Sequence, residues 1–144
     1  MSYTYEYPRP AVTVDCLIFS RNHGNIRLML IQRELPPFEN SWALPGGFVE
    51  IDEDLDEATY RELKEETDIS GIELRQFRAF GKPGRDPRGR TISIVYYGFA
   101  DNEKNLARAG SDARNVDWFD INDLPPLAFD HDKIIEKARE ELGI

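Results

Sequence analysis

The stretch from Glu50 to Asp68 constrains this chain more than any other. It holds ten acids (Glu50, Asp52, Glu53, Asp54, Asp56, Glu57, Glu62, Glu65, Glu66 and Asp68) against two bases, Arg61 and Lys64. Of the total formal charge of −9, −8 falls here, so the remaining residues are close to neutral. The segment reads as one strong helix over Asp52–Asp68. Asp52 or Asp54 is placed to cap it, and the acidic first turn suits the positive end of the helix dipole. At roughly 100° per residue, Glu62, Glu65 and Glu66 fall within an arc of about 100°. Carboxylates at i, i+3 and i+4 repel one another, and a hard divalent cation reverses that cost. Mg²⁺ takes oxygen ligands, keeps several waters, and commonly binds one or two carboxylates together with substrate phosphates. The neighbouring arc, with Tyr60, Leu63 and Thr67, suits packing on a sheet. A solvated acidic helix face is the plainer reading of a charge run taken alone.

Strand patterns surround this helix. Ala11–Ser20 is rich in β-branched residues, His23-Gly24-Asn25 turns the chain, and Ile26–Gln32 forms a second strand. Arg33–Ser41, with Pro36 and Pro37, reads as a loop. Trp42-Ala43-Leu44 forms a short strand that stops at Pro45-Gly46-Gly47, and Phe48–Ile51 resumes in extended form. Glycine lacks the Cβ that blocks close approach, so this loop can turn sharply and bring its backbone near the acids; Ala58, small and one turn before Glu62, leaves room for it. Gly71–Gly81, Thr91–Ala100 and Val116–Phe119 complete the strands. Asp130–Leu142 closes the chain as an amphipathic helix with Ile134, Ile135, Ala138 and Leu142 on its apolar face. The order of strands, helix, strands, helix predicts an α/β fold with a mixed sheet packed between helices.

At 144 residues, 31% charged and 40% hydrophobic, the chain suits a single domain spanning 1–144. No apolar run approaches the roughly 20 residues that span a bilayer, and Met1–Pro10 has no signal-peptide core, which predicts a cytoplasmic protein without membrane association. No basic face is present for a nucleic-acid backbone. The single cysteine, Cys16, lies within a strand run and reads as a buried structural residue. His23 falls in a turn, and His131 begins the last helix, where capping or packing is the expected role.

The spacing of the acids is specific. Gly47, five residues, Glu53, seven residues, then Arg61-Glu62-Leu63-Lys64-Glu65-Glu66-Thr67-Asp68-Ile69 closely resembles the signature of the Nudix hydrolases. One fixed position departs: the pattern ends in glycine where this chain has Asp68. A glycine just past a helix usually adopts a left-handed conformation, which aspartate tolerates better than most residues, so a local adjustment of the helix end is expected.

The resemblance implies a Nudix-type α/β/α sandwich. It implies hydrolysis of a nucleoside diphosphate linked to another moiety, with Mg²⁺ or Mn²⁺ as cofactor. Carried over residue by residue, it makes Glu62, Glu66 and Glu65 metal ligands, with the backbone carbonyl of Gly46 as a further one. Glu53 would assist a metal or water, and Arg61 would orient the glutamates. The segments 7–15, 42–49, 86–93 and 127–131 resemble the branch holding ADP-ribose pyrophosphatases and regulators that sense ADP-ribose through a Nudix domain. They imply a nucleotide-sugar substrate, ADP-ribose cleaved to AMP and ribose 5-phosphate, and a homodimer by family analogy. The alternatives are a nucleoside triphosphate pyrophosphohydrolase and a non-catalytic sensor. Arg85, Arg88 and Arg90 suit a diphosphate, since guanidinium forks match phosphate oxygens, or form a solvated basic loop. Trp42, Phe38 and Phe80 suit stacking on adenine, or packing in the core. Many relatives carry a glutamate, as general base or extra ligand, shortly before a Trp-Phe pair (here Trp118-Phe119); this chain has Asn115 there. Asp112 or Glu103 would then substitute, or Glu53 and Glu65 would activate the water.

Overall fold

The structure, a computed structural model, describes residues 2–101, 110 and 113–144. Strands β1 (Ala11–Asn22) and β2 (Asn25–Arg33) form a hairpin whose two-residue turn, His23 and Gly24, has positive φ at both positions, as tight hairpin turns require. β3 (Trp42–Ala43) and β4 (Gly46–Phe48) follow, then α1 (Leu55–Thr67), β5 (Arg75–Phe80), β6 (Thr91–Phe99), β7 (Ala113–Asp120) and α2 (His131–Leu142). The central path of the sheet runs β3-β2-β1-β6-β5, with β4 paired to β1 and β7 to β2. β1 and β6 are parallel and the other pairs antiparallel, so the sheet is mixed, as expected.

Alternation along β1 distributes the core to two faces. Cys16 and Ile18 meet Met29 and Leu63 of α1 on one face. Leu17 and Phe19 meet Leu28, Leu30, Val95 and Ile134, Ile135 and Ala138 of α2 on the other. The helices therefore cover opposite faces, giving the α/β/α sandwich. Cys16 is fully buried, and that burial pushes its thiol pKa well up.

Two local expectations are corrected. Gly46 and Gly47 form strand β4 against Asp15 and Val14, whereas Glu50 to Asp54 leaves the sheet. Neither glycine has positive φ; space is what demands them. Helix α1 begins at Leu55, with Asp54 as N-cap, three residues after the expected start. At its other end Asp68 adopts φ 62°, the left-handed conformation expected of the missing glycine. Its N–H bonds to Lys64 O, and its carboxylate accepts from Lys64 Nζ at 2.7 Å. That pairing offsets part of the left-handed cost. Among the described residues no helix is long and apolar enough to cross a membrane.

Candidate active site

Helix α1 positions the acids by its periodicity. Ala58, Glu62 and Glu66 form one i, i+4 row, beside the buried Thr59, Leu63 and Thr67 that dock on the sheet. Ala58 is fully buried against Val14 and Tyr96, and its small side chain lets β4 lie close to the helix. The closeness is extreme at Gly47, where an added Cβ would lie 2.5 Å from Cδ of Glu62. Glu66, 5% exposed, accepts the N–H of Gly46 at 2.9 Å. The two glycines thus fix both carboxylates, one by contact and one by hydrogen bond.

Arg61 and Glu65 occupy the adjoining row, and Arg61 gathers the acids. Its Nε donates to Glu53 Oε2 at 2.5 Å and its Nη2 to Glu53 Oε1 at 2.8 Å. Nη1 donates to Glu62 Oε1 at 2.8 Å and to Glu65 Oε2 at 3.2 Å, while Nη2 also reaches Phe48 O at 3.1 Å. The paired hydrogen bonds from Arg61 pull the Glu53 carboxyl down to about 2, and the same bonds raise the pKa of the guanidinium. Glu53 is thereby occupied as the anchor of Arg61.

Glu62, Glu66 and Arg61 form part of the wall of a cavity of about 440 Å³. Arg33, Arg85 and Arg88 lie on it too, each held in place. Arg85 makes a bidentate pair with Asp130, at 2.9 and 2.7 Å. Asp86 is buried, which alone would raise its pKa; three hydrogen bonds from Arg88, one from its backbone N–H, outweigh this and hold it below the usual carboxylate range. The Arg88 guanidinium stacks 4.7 Å from the centroid of Phe48 and 5.0 Å from that of Phe129. Arg33 lies 5.0 Å from the centroid of Phe129, and burial lowers its pKa. Thr13, Asp15 and His131 also line the cavity.

The lining carries four guanidinium groups (Arg33, Arg61, Arg85, Arg88) and five carboxylates (Asp15, Glu50, Glu62, Glu66, Asp86), a net charge of −1. A diphosphate entering alone would meet like charge, and a divalent cation inverts the sign. Among the described residues no three His, Cys, Asp or Glu side chains form a ready-made cage for a metal. Two oxygen-bearing carboxylates opening on a cavity with arginines fit Mg²⁺ better than a cage does, since this ion keeps waters and takes phosphate oxygens.

Of the residues singled out by sequence, the fold brings Gly46, Arg61, Glu62, Glu66, Arg85 and Arg88 onto one cavity. Glu53 sits behind Arg61. Glu65, with half its side chain exposed, touches Arg61 but does not line the cavity. Arg90 is exposed and off the cavity, contributing its carbonyl to Ala11 N–H. Trp42 packs edge-on to Phe119, with ring centroids 4.8 Å apart, within the α2-side core. Phe80 joins the same core, and Phe38 packs on Phe129. Asn115 donates to Gln32 Oε1 at 2.7 Å, and neither residue lines the cavity. Glu103 and Asp112 lie outside the described residues. Sequence reasoning did not place Asp15, Arg33, Asp86, Phe129 or His131 at the site. Asp15 carried a usable signal, being the one charged residue in the otherwise uncharged run Ala11–Ser20.

Comparison with known proteins identifies the family. The NUDIX domain family model matches residues 9–138. The chain is 45% identical over 130 residues to an ADP-ribose pyrophosphatase of Methanocaldococcus jannaschii, covering 90% of this chain and 73% of that protein. It is 35% identical over 142 residues to the ADPR responsive transcriptional repressor NtrR of Acinetobacter baylyi, covering 96% of this chain but 56% of the repressor. Among solved structures, the NUDIX domain of Shewanella oneidensis NrtR complexed with ADP ribose superimposes with a TM-score of 0.87 at 31% identity, over 94% of this chain and 90% of that one. The family match runs from Arg9, just before β1, to Ala138 on α2, across every residue that lines the cavity, and the chain belongs to the Nudix family of hydrolases.

Proposed function

We propose that the chain hydrolyses the diphosphate bond of ADP-ribose, with Mg²⁺ or Mn²⁺, to AMP and ribose 5-phosphate. The observation that carries this reading is the placement of two helix carboxylates, Glu62 and Glu66, on the wall of a cavity that also presents Arg33, Arg85 and Arg88. The similarity to an ADP-ribose pyrophosphatase, and to a Nudix domain complexed with ADP ribose, supports the choice of substrate.

In this reading Glu62 and Glu66 hold the metal, with the Gly46 carbonyl as a further ligand. A bound divalent ion supplies neutralisation of phosphate oxygens and a lowered pKa for a coordinated water. Arg85 and Arg88 orient the diphosphate from their clamped positions, so little side-chain entropy is lost on binding. Arg61 sets the carboxylate rotamers, and Glu53 holds Arg61. With its pKa near 2 and both oxygens engaged, Glu53 is a poor proton acceptor. Water adds to one phosphorus, the bridging oxygen leaves with the other phosphate, and the proton departs to a carboxylate at the cavity.

Asn115 favours a second reading, since its amide is neutral and tied to Gln32. A chain with these walls and no base would bind ADP-ribose without cleaving it, as a sensor. A substrate panel with Mg²⁺ separates the readings. Hydrolysis predicts AMP and ribose 5-phosphate from ADP-ribose, in preference to pyrophosphate from nucleoside triphosphates. Binding of ADP-ribose without product under Mg²⁺ and Mn²⁺ refutes the enzymatic reading.

A further inference from the structure

The cavity carries a polar pair used by neither the glutamates nor the arginines. Asp15, on β1, is 7% exposed, and its Oδ2 accepts the Ser93 hydroxyl at 2.5 Å. Its Oδ1 lies 3.7 Å from Nε2 of His131, beyond direct hydrogen-bonding distance. His131, the first residue of α2, is 4% exposed, and its Nδ1 accepts the Leu44 N–H at 3.0 Å. Burial lowers the imidazole pKa and favours the neutral ring. A neutral ring that accepts at Nδ1 carries its proton on Nε2. A donor and a carboxylate acceptor therefore stand side by side on the wall of the cavity.

This spacing suits one hydroxyl, which donates to Asp15 Oδ1 while its oxygen accepts from His131 Nε2–H. A ligand that lacks the hydroxyl leaves both groups unpaired in a nearly buried place, and sites of that kind discriminate strongly. The two ends of an ADP-ribose molecule differ in what they ask of the protein. Adenine is planar and fits an aromatic face, which here is offered by Phe48, 43% exposed. The terminal ribose is small and rich in free hydroxyls, each needing a partner once buried.

We propose that Asp15 and His131 form a hydroxyl-reading subsite that selects the terminal sugar of the substrate. The subsite rests on the ADP-ribose reading above, and its test separates the two. Calorimetry with Ca²⁺ in place of Mg²⁺ compares ADP-ribose with analogues deoxygenated at C2 or C3 of the terminal ribose. The wild type is expected to bind at least one deoxy analogue at least tenfold more weakly than ADP-ribose. Asp15→Asn is expected to weaken ADP-ribose by at least tenfold while binding that analogue as the wild type does. The wild-type comparison stands even where Asp15→Asn does not fold. Equal affinity of the wild type for ADP-ribose and both analogues overturns the subsite, as does an equal loss for all three ligands in Asp15→Asn. Product formation with Mg²⁺ is measured in parallel. Discrimination without hydrolysis refutes the catalytic reading alone, and hydrolysis without discrimination refutes the subsite alone.

Discussion

Gly46 and Gly47 are neighbours in sequence, yet adding one methyl group to each should have opposite consequences. A Cβ at Gly46 would lie 2.1 Å from Val14 O and 2.9 Å from Asp15 Cα, both backbone atoms of the paired strand. These cannot move without opening the β1–β4 ladder. Overpacking of this kind costs about 1–3 kcal/mol, and at about 2–4 °C per kcal/mol Gly46→Ala should melt on the order of 5 °C lower. The three atoms nearest a Cβ at Gly47 all belong to the end of the Glu62 side chain, Cδ, Oε1 and Oε2 at 2.5, 2.5 and 2.6 Å. A rotamer change at Glu62 relieves the clash, at about 1 kcal/mol or less. That rotation breaks the bond from Arg61 and moves the carboxylate from its place on the cavity wall. Gly47→Ala should therefore melt within about 3 °C of wild type, yet lose about a hundredfold in kcat/KM, equivalent to about 2.7 kcal/mol of transition-state stabilisation. The assay pairs a thermal melt in EDTA with ADP-ribose hydrolysis in Mg²⁺. Full activity in Gly47→Ala, or wild-type stability in Gly46→Ala, would refute the reasoning.

Three further predictions concern the same cavity. Glu62→Gln and Glu66→Gln should each lower turnover at least a hundredfold, with circular dichroism unchanged, because each removes a carboxylate charge that would hold the cation against the diphosphate; activity near wild type in both would remove them from the metal site. Chelation should abolish turnover but leave the melting temperature within a few degrees. Glu62 already bonds Arg61 and Glu66 already bonds Gly46 N–H, so the fold does not wait on the ion, and unfolding in EDTA would contradict this. His131 has a native pKa below the ordinary imidazole value of 6.5, so the unfolded chain takes up the proton first. Its contribution to stability should be complete above about pH 6.5 and fall as pH drops through that value toward the native pKa. His131→Asn should flatten the melting temperature across this interval, and an unaltered slope would count against a neutral buried ring.

The helix carrying the glutamates was legible because its signals are local. Acid spacing, caps and the apolar row all lie within one segment, and even the left-handed Asp68 followed from the chemistry of a helix end. The central strand was legible for the same reason, since the β-branched run Ala11–Ser20 lies within one segment, and Thr13 to Ser20 are buried without a break. Asp15 and His131 were not, because they meet only when β1 and the start of α2 are brought together across 116 positions. Arg85 and Arg90 looked equivalent in the loop; one is locked by Asp130, the other is left exposed, and only tertiary pairing distinguishes them. Trp42 illustrates the converse. An aromatic beside a glycine turn resembles a base platform, but the sheet bends it onto Phe119.

Electron paramagnetic resonance of Mn²⁺ tests the central claim most directly, because the signal of the free ion disappears on binding. Wild-type protein should remove that signal, more strongly when ADP-ribose is present, while a Glu62→Gln, Glu66→Gln double variant should leave it in solution. Equal Mn²⁺ uptake by the double variant would contradict the account.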